Sequence, residues 1–387
     1  MRIAYVGADI FDGHTSRSGQ ALVVEDGQVA EIVSEAALPS SIERRSLDGG
    51  LLAPGFVDIQ VNGGGGVLLN EEPTVEGIRR ICAAHARYGS TALLPTVITD
   101  RPEITFAAIE AAAAAVSAGV PGCIGIHVEG PFLSVARKGA HDPALIRRME
   151  ASDLEALLAT TLRPLLLTVA PESVSNAQIS ALSEAGIRVS LGHSDTDFET
   201  ATAAFAAGAS CVTHLFNAMS QMNHRSPGLV GAALASQEVW CGFIPDGFHV
   251  HPAALGAALR AKSGKRKLVA VTDAMPTVGS SEDRFELGGR VATRQNGRLT
   301  LADGTLAGSD LTMIGALHYL VRMLGVPLEE ALRMCSLYPA EFLGLSERHG
   351  QFRPGSRADM VWINEVPALK GVWIGGNPVD LQQMSGK

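Results

Sequence analysis

The stretch GIHVEGPFL, Gly125 to Leu133, decides how the rest of the chain is read. A run of apolar or small residues, Cys123 to Ile126, leads into His127 and Val128, and Glu129 is then broken at once by Gly130-Pro131. This is the pattern of a buried strand that stops on a carboxylate. A charge at such a strand's mouth is costly unless a cation or a metal pairs with it. Taken alone, Glu129 reads as an ordinary strand end with a solvated side chain. The other strands change that reading.

Working outward, strand-like runs recur through the middle of the chain: Gly55 to Gln60, Thr91 to Thr96, Cys123 to Glu129, Leu165 to Ala170, Arg188 to His193, Cys211 to His214, Trp240 to Asp246 and Leu268 to Asp273. Helical runs separate them at Thr74 to Tyr88, Pro102 to Ala118, Pro143 to Ala159, Ser175 to Ala185, Asp197 to Ala207 and Pro252 to Ala261, with a short one near Leu229 to Ala235. The runs at Pro102 and Pro143 open on a proline, which suits a first helical turn. Helices from Leu311 and Leu328 complete the set. Eight strands alternating with helices predict an α/β fold of the (β/α)₈ TIM-barrel kind over 54–350.

Both ends are instead β-rich. Ala21 to Val33 alternates around an Asp26-Gly27 turn, the signature of a hairpin. Met360-Val-Trp-Ile and Gly371-Val-Trp-Ile are short strands. The expectation is a small β-sandwich domain built from both termini, 1–53 plus 351–387. A further hairpin-like segment, Phe285 to Leu301, either joins that domain or caps the barrel.

With 387 residues, 46% of them hydrophobic and 18% charged, the composition is that of a globular chain. A net charge of −9 argues against a nucleic-acid partner while leaving room for a local basic pocket. Five scattered cysteines without a C-x-x-C pair suit reduced, buried thiols. The opening MRIAYVGADIFDG lacks an apolar h-region, and the alanines 111–115 lie between Glu110 and Ser117, a helix rather than a membrane span. The expectation is a cytoplasmic protein with no membrane partner.

Chemistry-bearing residues cluster at the strand ends. The third strand stops at Glu129, the fifth at His193, the sixth at His214, the seventh at Asp246 to His249 and the eighth at Asp273. In a barrel these positions converge on the C-terminal mouth, where active sites are built. A carboxylate and two imidazoles there suit Zn²⁺, which takes three protein ligands and keeps one position open for water. Asp273 suits a general base that takes a proton from that water and returns it to a leaving group. His14, His85, His318 and His349 lie off the strand ends and read as surface or packing residues. His127 reads as filling the barrel interior or bonding to the site's surroundings.

The fragments PGFVDIQVNG, HVEGPF, KGAHDP, LGHSDT, THLFNAM, GLVGAAL, DGFHV, VTDAM and AGSDLTM resemble the N-acetylglucosamine-6-phosphate deacetylase family of the amidohydrolase superfamily. The likeness spans the chain from about Pro54 onward. It implies a barrel with a two-ended β-sandwich, and hydrolysis of the acetamide of N-acetylglucosamine 6-phosphate. It also implies Glu129, His193 and His214 as metal ligands, Asp273 as the acid/base and His141 as a donor to the acetyl carbonyl. Asn217, Ala218 and Leu306 match sugar contacts, and His249 and Arg225 match phosphate contacts. Some family members draw phosphate contacts from the neighbouring subunit, which implies a homodimer.

One departure from the wider superfamily is informative. Where an H-x-H pair would hold a second metal, this chain has Gln60 and Asn62, neither a good zinc ligand. The expectation is one divalent ion per subunit, Zn²⁺ before Fe²⁺ or Mn²⁺, with Gln60 lining the second position. Cyclic-amide hydrolases usually carry H-x-H and a bridging Lys after the fourth strand, and here Val169-Ala-Pro-Glu has none. A catalytically dead barrel is disfavoured by the intact Glu129, His193, His214 and Asp273. The galacto epimer, N-acetylgalactosamine 6-phosphate, remains an alternative substrate for the same machinery.

Overall fold

The computed structural model describes residues 2–262, 264 and 267–381. The last residues of the expected C-terminal segment, 382–387, lie outside the described residues. At the centre stand eight parallel strands in sequence order: β1 (Phe56–Val61), β2 (Ser90–Ile98), β3 (Ile126–Glu129), β4 (Leu165–Val169), β5 (Arg188–Leu191), β6 (Cys211–Val212), β7 (Trp240–Phe243) and β8 (Leu268–Ala270). Beyond β8 the chain meets the end of β1: Asp273 N donates to Gln60 O and Asn62 N to Ala274 O, both at 2.9 Å. The barrel closes there. Its strands are apolar on both faces because side chains fill the inside and helices cover the outside; Leu165–Val169 is buried throughout.

The outer ring comprises α1 (Val75–Ala86), α2 (Pro102–Ser117), α3 (Ala151–Ala159), α4 (Asn176–Glu184), α5 (Phe198–Ala206), α6 (Gly228–Ala235), α7 (Pro252–Ala261), α8 (Met313–Arg322), α9 (Leu328–Cys335) and α10 (Leu337–Leu343). Side-chain caps start several of them where the sequence offers a hydroxyl or carboxylate. Thr74, Ser175, Asp197 and Thr312 each accept from a backbone N–H of the first turn. The helix expected from Pro143 is a correction: it opens only at Ala151. Arg147 folds back to hold Asp153 with two bonds of 2.5 and 2.6 Å, and Asp153 also accepts from Glu150 N, so the cap lies at Glu150 rather than Pro143. No helix was expected at Leu337–Leu343, where α10 packs Ala340, Phe342 and Leu343 against Ile59 and Trp240.

Strands from both termini form two further sheets. One orders Gln28–Ser34, Gln20–Glu25, Arg2–Val6 and Glu43–Ser46. The other orders Asn377–Pro378, Leu369–Ile374, Met360–Ile363, Leu51–Pro54, Asp9–Phe11 and Ser16–Arg17. Ile3, Tyr5 and Leu22 of the first meet Ile10, Leu52, Met360 and Trp373 of the second in one buried cluster. The Asp26-Gly27 hairpin turn has both residues at positive φ, 48° and 80°, as a two-residue hairpin of primed type requires. The segment 284–300 caps the barrel: its strands Arg284–Leu287, Arg290–Gln295 and Arg298–Thr300 carry Leu287 to the rim of the mouth.

Candidate active site

Register brings the ligand types to one depth. Glu129 ends β3 opposite Ile98 of β2 and Thr168 of β4, while His193 and His214 each stand two residues past the paired ends Leu191 and Val212. Both histidines and Asp273 adopt positive φ (47°, 33° and 53°), a backbone region that costs non-glycine residues free energy and recurs at functional sites. The turn swings each side chain inward over the barrel. Below them, His127 bonds Thr168 Oγ1 at 2.8 Å, Thr168 bonds Thr213 at 2.7 Å and Thr213 bonds Ser190 at 2.7 Å. Four strands are thus tied beneath the site. His85, also buried, bonds Gly63 O, a packing role.

Three donor atoms converge. His214 Nε2 lies 3.1 Å from both Glu129 Oε1 and His193 Nε2, and His193 Nε2 lies 3.3 Å from the same oxygen. His193 Nδ1 donates to the carbonyl of Arg137 at 2.9 Å, which fixes the ring with Nε2 turned toward the other two ligand atoms. Tetrahedral ligands about 2.0–2.1 Å from a zinc-sized ion stand about 3.3 Å apart, so this donor set fits a divalent cation. Among the described residues it is the one group of this kind. Burial raises the Glu129 carboxyl, but hydrogen bonds and charge from His193 and His214 outweigh it and hold Glu129 well below the usual range. A carboxylate kept ionised in a buried pocket is what a cation needs.

Gln60 and Asn62 take a different part from that of ligands. The Gln60 amide donates to both oxygens of Glu129 at 3.2 Å and to Asp273 Oδ1 at 3.1 Å. Asn62 donates to the same Asp273 oxygen at 2.7 Å. Gln60 is buried and spent on these carboxylates; it does not line the cavity, whereas Asn62 does. Burial and the charge of Glu129 push the Asp273 carboxyl up to about 6. It is a group able to take and release a proton near neutral pH.

The cavity above measures about 390 Å³, within the usual range for small-molecule sites. Glu129, His141, His193, His214, Asn217, Ala218, His249, Asp273 and Leu306 all line it. His141 stacks edge-on to His193, with ring centroids 4.3 Å apart, and burial with the charge of His193 pulls it down to about 3. His249 bonds Asp246 at 2.6 Å, which orients its ring. The Asn217 amide caps the carbonyls of His214 and Leu215 at 3.1 and 3.3 Å. Arg225 is not brought in: it is exposed in the segment 221–226 and does not line its own chain's cavity.

Sequence reasoning missed Thr99, Arg137, Ile98, Leu287 and Thr305. Thr99 bonds His141 Nδ1 at 2.7 Å, and its place just past a barrel strand was a usable signal. Arg137 acts through a carbonyl, which no sequence pattern marks.

A buried His-His-carboxylate set beside a second carboxylate, at the C-terminal mouth of an eight-stranded barrel, defines a metal-site hydrolase fold. The chain belongs to the amidohydrolase family: the Amidohydrolase family profile matches residues 51–379, and the NagA composite domain profile matches residues 3–52. The chain is 43% identical over 358 residues to N-acetylgalactosamine-6-phosphate deacetylase of Shewanella sp. (strain ANA-3), covering 92% of this chain and 90% of that one. It is 37% identical to N-acetylglucosamine-6-phosphate deacetylase of Mus musculus over 87% of this chain and 85% of that one. The crystal structure of N-acetylglucosamine-6-phosphate deacetylase from Pasteurella multocida superposes with a TM-score of 0.94 at 32% identity, covering 98% of this chain and 99% of that one. Among the described residues no helix is long and apolar enough to cross a membrane.

Proposed function

We propose that the protein hydrolyses the acetamide of N-acetyl-D-glucosamine 6-phosphate to D-glucosamine 6-phosphate and acetate. The observation that carries this reading is the convergence of Glu129, His193 and His214 beside Asp273 in one cavity, within a chain similar over most of its length to deacetylases of such phosphosugars. A single divalent ion, Zn²⁺ before Fe²⁺ or Mn²⁺, would be held by Glu129, His193 and His214 and would supply Lewis acidity toward the attacking water and the acyl oxygen. Asp273 takes the proton of that water and delivers it to the departing nitrogen, so the amine leaves neutral. His141 donates to the acyl oxygen as negative charge develops there. Asn217, Ala218 and Leu306 hold the sugar, and His249 meets the phosphate.

Arg225 is assigned to the phosphate of the neighbouring subunit in a homodimer. Its exposure, away from its own chain's cavity, supports that role, and a guanidinium suits a phosphate because its fork binds two oxygens. Five free, buried cysteines support a reducing, cytoplasmic setting. The second reading is N-acetylgalactosamine 6-phosphate, favoured by the 43% identity to the Shewanella protein. Acetate release from both phosphosugars and from unphosphorylated N-acetylglucosamine, with and without chelator, tests the proposal. The gluco phosphosugar should be turned over best and only without chelator; a clear preference for the galacto epimer would transfer the assignment. Arg225→Ala should lower the preference for the phosphorylated sugar, and an unchanged preference would move that contact elsewhere.

A further inference from the structure

We propose that Thr99 is a positioning residue for His141: its hydroxyl donates to Nδ1 and so sets the ring's single proton on Nε2, the nitrogen left to face the cavity. The inference deepens the deacetylase reading and rests on it for its catalytic consequence, though not for the tautomer itself.

Thr99 is buried one residue past β2, with its hydroxyl 2.7 Å from His141 Nδ1. The next acceptor available to that hydroxyl is the Glu129 carbonyl at 3.5 Å, beyond the normal range of an O–H···O bond. A buried ring carries one proton, because charging it away from water is costly. Two arrangements then remain. With the proton on Nε2, the hydroxyl gives Nδ1 a short bond and Nε2 presents N–H to the cavity. With the proton on Nδ1, the hydroxyl is left with the distant carbonyl and Nε2 turns a lone pair toward the reacting acyl oxygen. Only the first satisfies the hydrogen-bonding groups and suits a developing oxyanion.

The surroundings leave Thr99 this place. A Cβ at Gly130 would fall 2.2 Å from Thr99 Oγ1, so the residue after Glu129 must lack one for the hydroxyl to sit there. Arg290 of the capping sheet donates to the carbonyl of Ala140, and His141 N donates to Lys138 O, which fixes the backbone but not the ring. Among the described residues Thr99 is the only side chain that hydrogen-bonds the His141 ring.

The test compares Thr99→Val, close in shape but without the hydroxyl, with Thr99→Ser, which restores it. Two readouts are taken on zinc-loaded protein: kcat and KM for acetate release, and the ¹⁵N shifts of the His141 ring in histidine-labelled protein. The parent protein should show Nε2 protonated and Nδ1 as a hydrogen-bonded acceptor. Thr99→Val should move the Nδ1 resonance toward that of an unbonded acceptor and lower kcat about tenfold or more, with KM changed less, as expected when an oxyanion donor loses its orientation. Thr99→Ser should restore both readouts. A protonated Nδ1 in the parent protein, or a Thr99→Val enzyme with unchanged kcat, would overturn the proposal. If Thr99→Val fails to fold, the parent's tautomer and the Ser variant still decide it. Absence of turnover on every phosphosugar would defeat the deacetylase reading, while the ring's protonation would be read independently.

Discussion

Asp273 carries the most distinctive charge balance of any single residue in the site. One oxygen accepts from both Gln60 and Asn62, while burial and Glu129 push the carboxyl up to about 6. A base must be unprotonated to act, so kcat/KM should fall as pH drops through about 6. A cation beside it favours the ionised form and moves that inflection lower, so a pH–rate profile whose acid limb lies well above 6 would contradict the assignment. Asp273→Asn should keep the metal and lose about 10²–10⁴ in turnover, the usual worth of a placed acid/base. At this scale much was legible, because Glu129, His193, His214 and Asp273 each terminate a readable strand. Arg137 was not, since it acts across 56 residues through a carbonyl that any sequence offers in plenty; Thr99 follows a readable strand, but its partner His141 lies 42 residues on and only the fold joins the two.

Among the elements, the strands were easier to read than the connections. Each strand is a short apolar run with a clear stop, and the runs alternate with helices capped by Thr74, Ser175 or Asp197. The helix misplaced at Pro143 followed a local preference that tertiary contacts override. Arg147 uses its guanidinium on Asp153, and its N–H is taken by Pro131 O, holding 143–150 irregular. The capping sheet had two plausible homes in sequence, and its buried Leu287 beside Met275 shows why it chose the mouth. The junction after β3 permits a prediction. Gly130 has φ of 90° and no room for a Cβ, so Gly130→Ala should destabilise the fold by at least about 1–3 kcal/mol and lower metal affinity at the adjoining Glu129. Denaturant titration and metal binding measured together check this; stability equal to the parent's would count against the tight packing of Thr99.

Taken as a whole, the molecule buries ionisable groups with opposed pH demands. Burial pushes Asp58 up to about 7, because the Thr272 hydroxyl and two backbone N–H groups only partly compensate the charge. The folded state therefore holds this proton more tightly than the unfolded state, and stability is lost as pH rises from about 4 toward 7. His85 is pulled down to about 4 by burial, so its contribution is intact above its ordinary value of 6.5 and is lost as pH falls toward 4. Asp58→Asn should thus gain stability over the parent at pH 8 relative to pH 4, by up to about 4 kcal/mol, and urea titrations at the two values would show it. Neither residue was singled out from sequence for this behaviour, since burial is a property of the assembled barrel. The same assembly makes the central claim testable in one measurement: bound metal per chain titrated against the rate of acetate release from N-acetylglucosamine 6-phosphate. Rate should rise in proportion to occupancy and reach its maximum at one tightly held equivalent, lost on Glu129→Gln. Full activity in metal-free protein, or a maximum reached only at two tightly held equivalents, would contradict it.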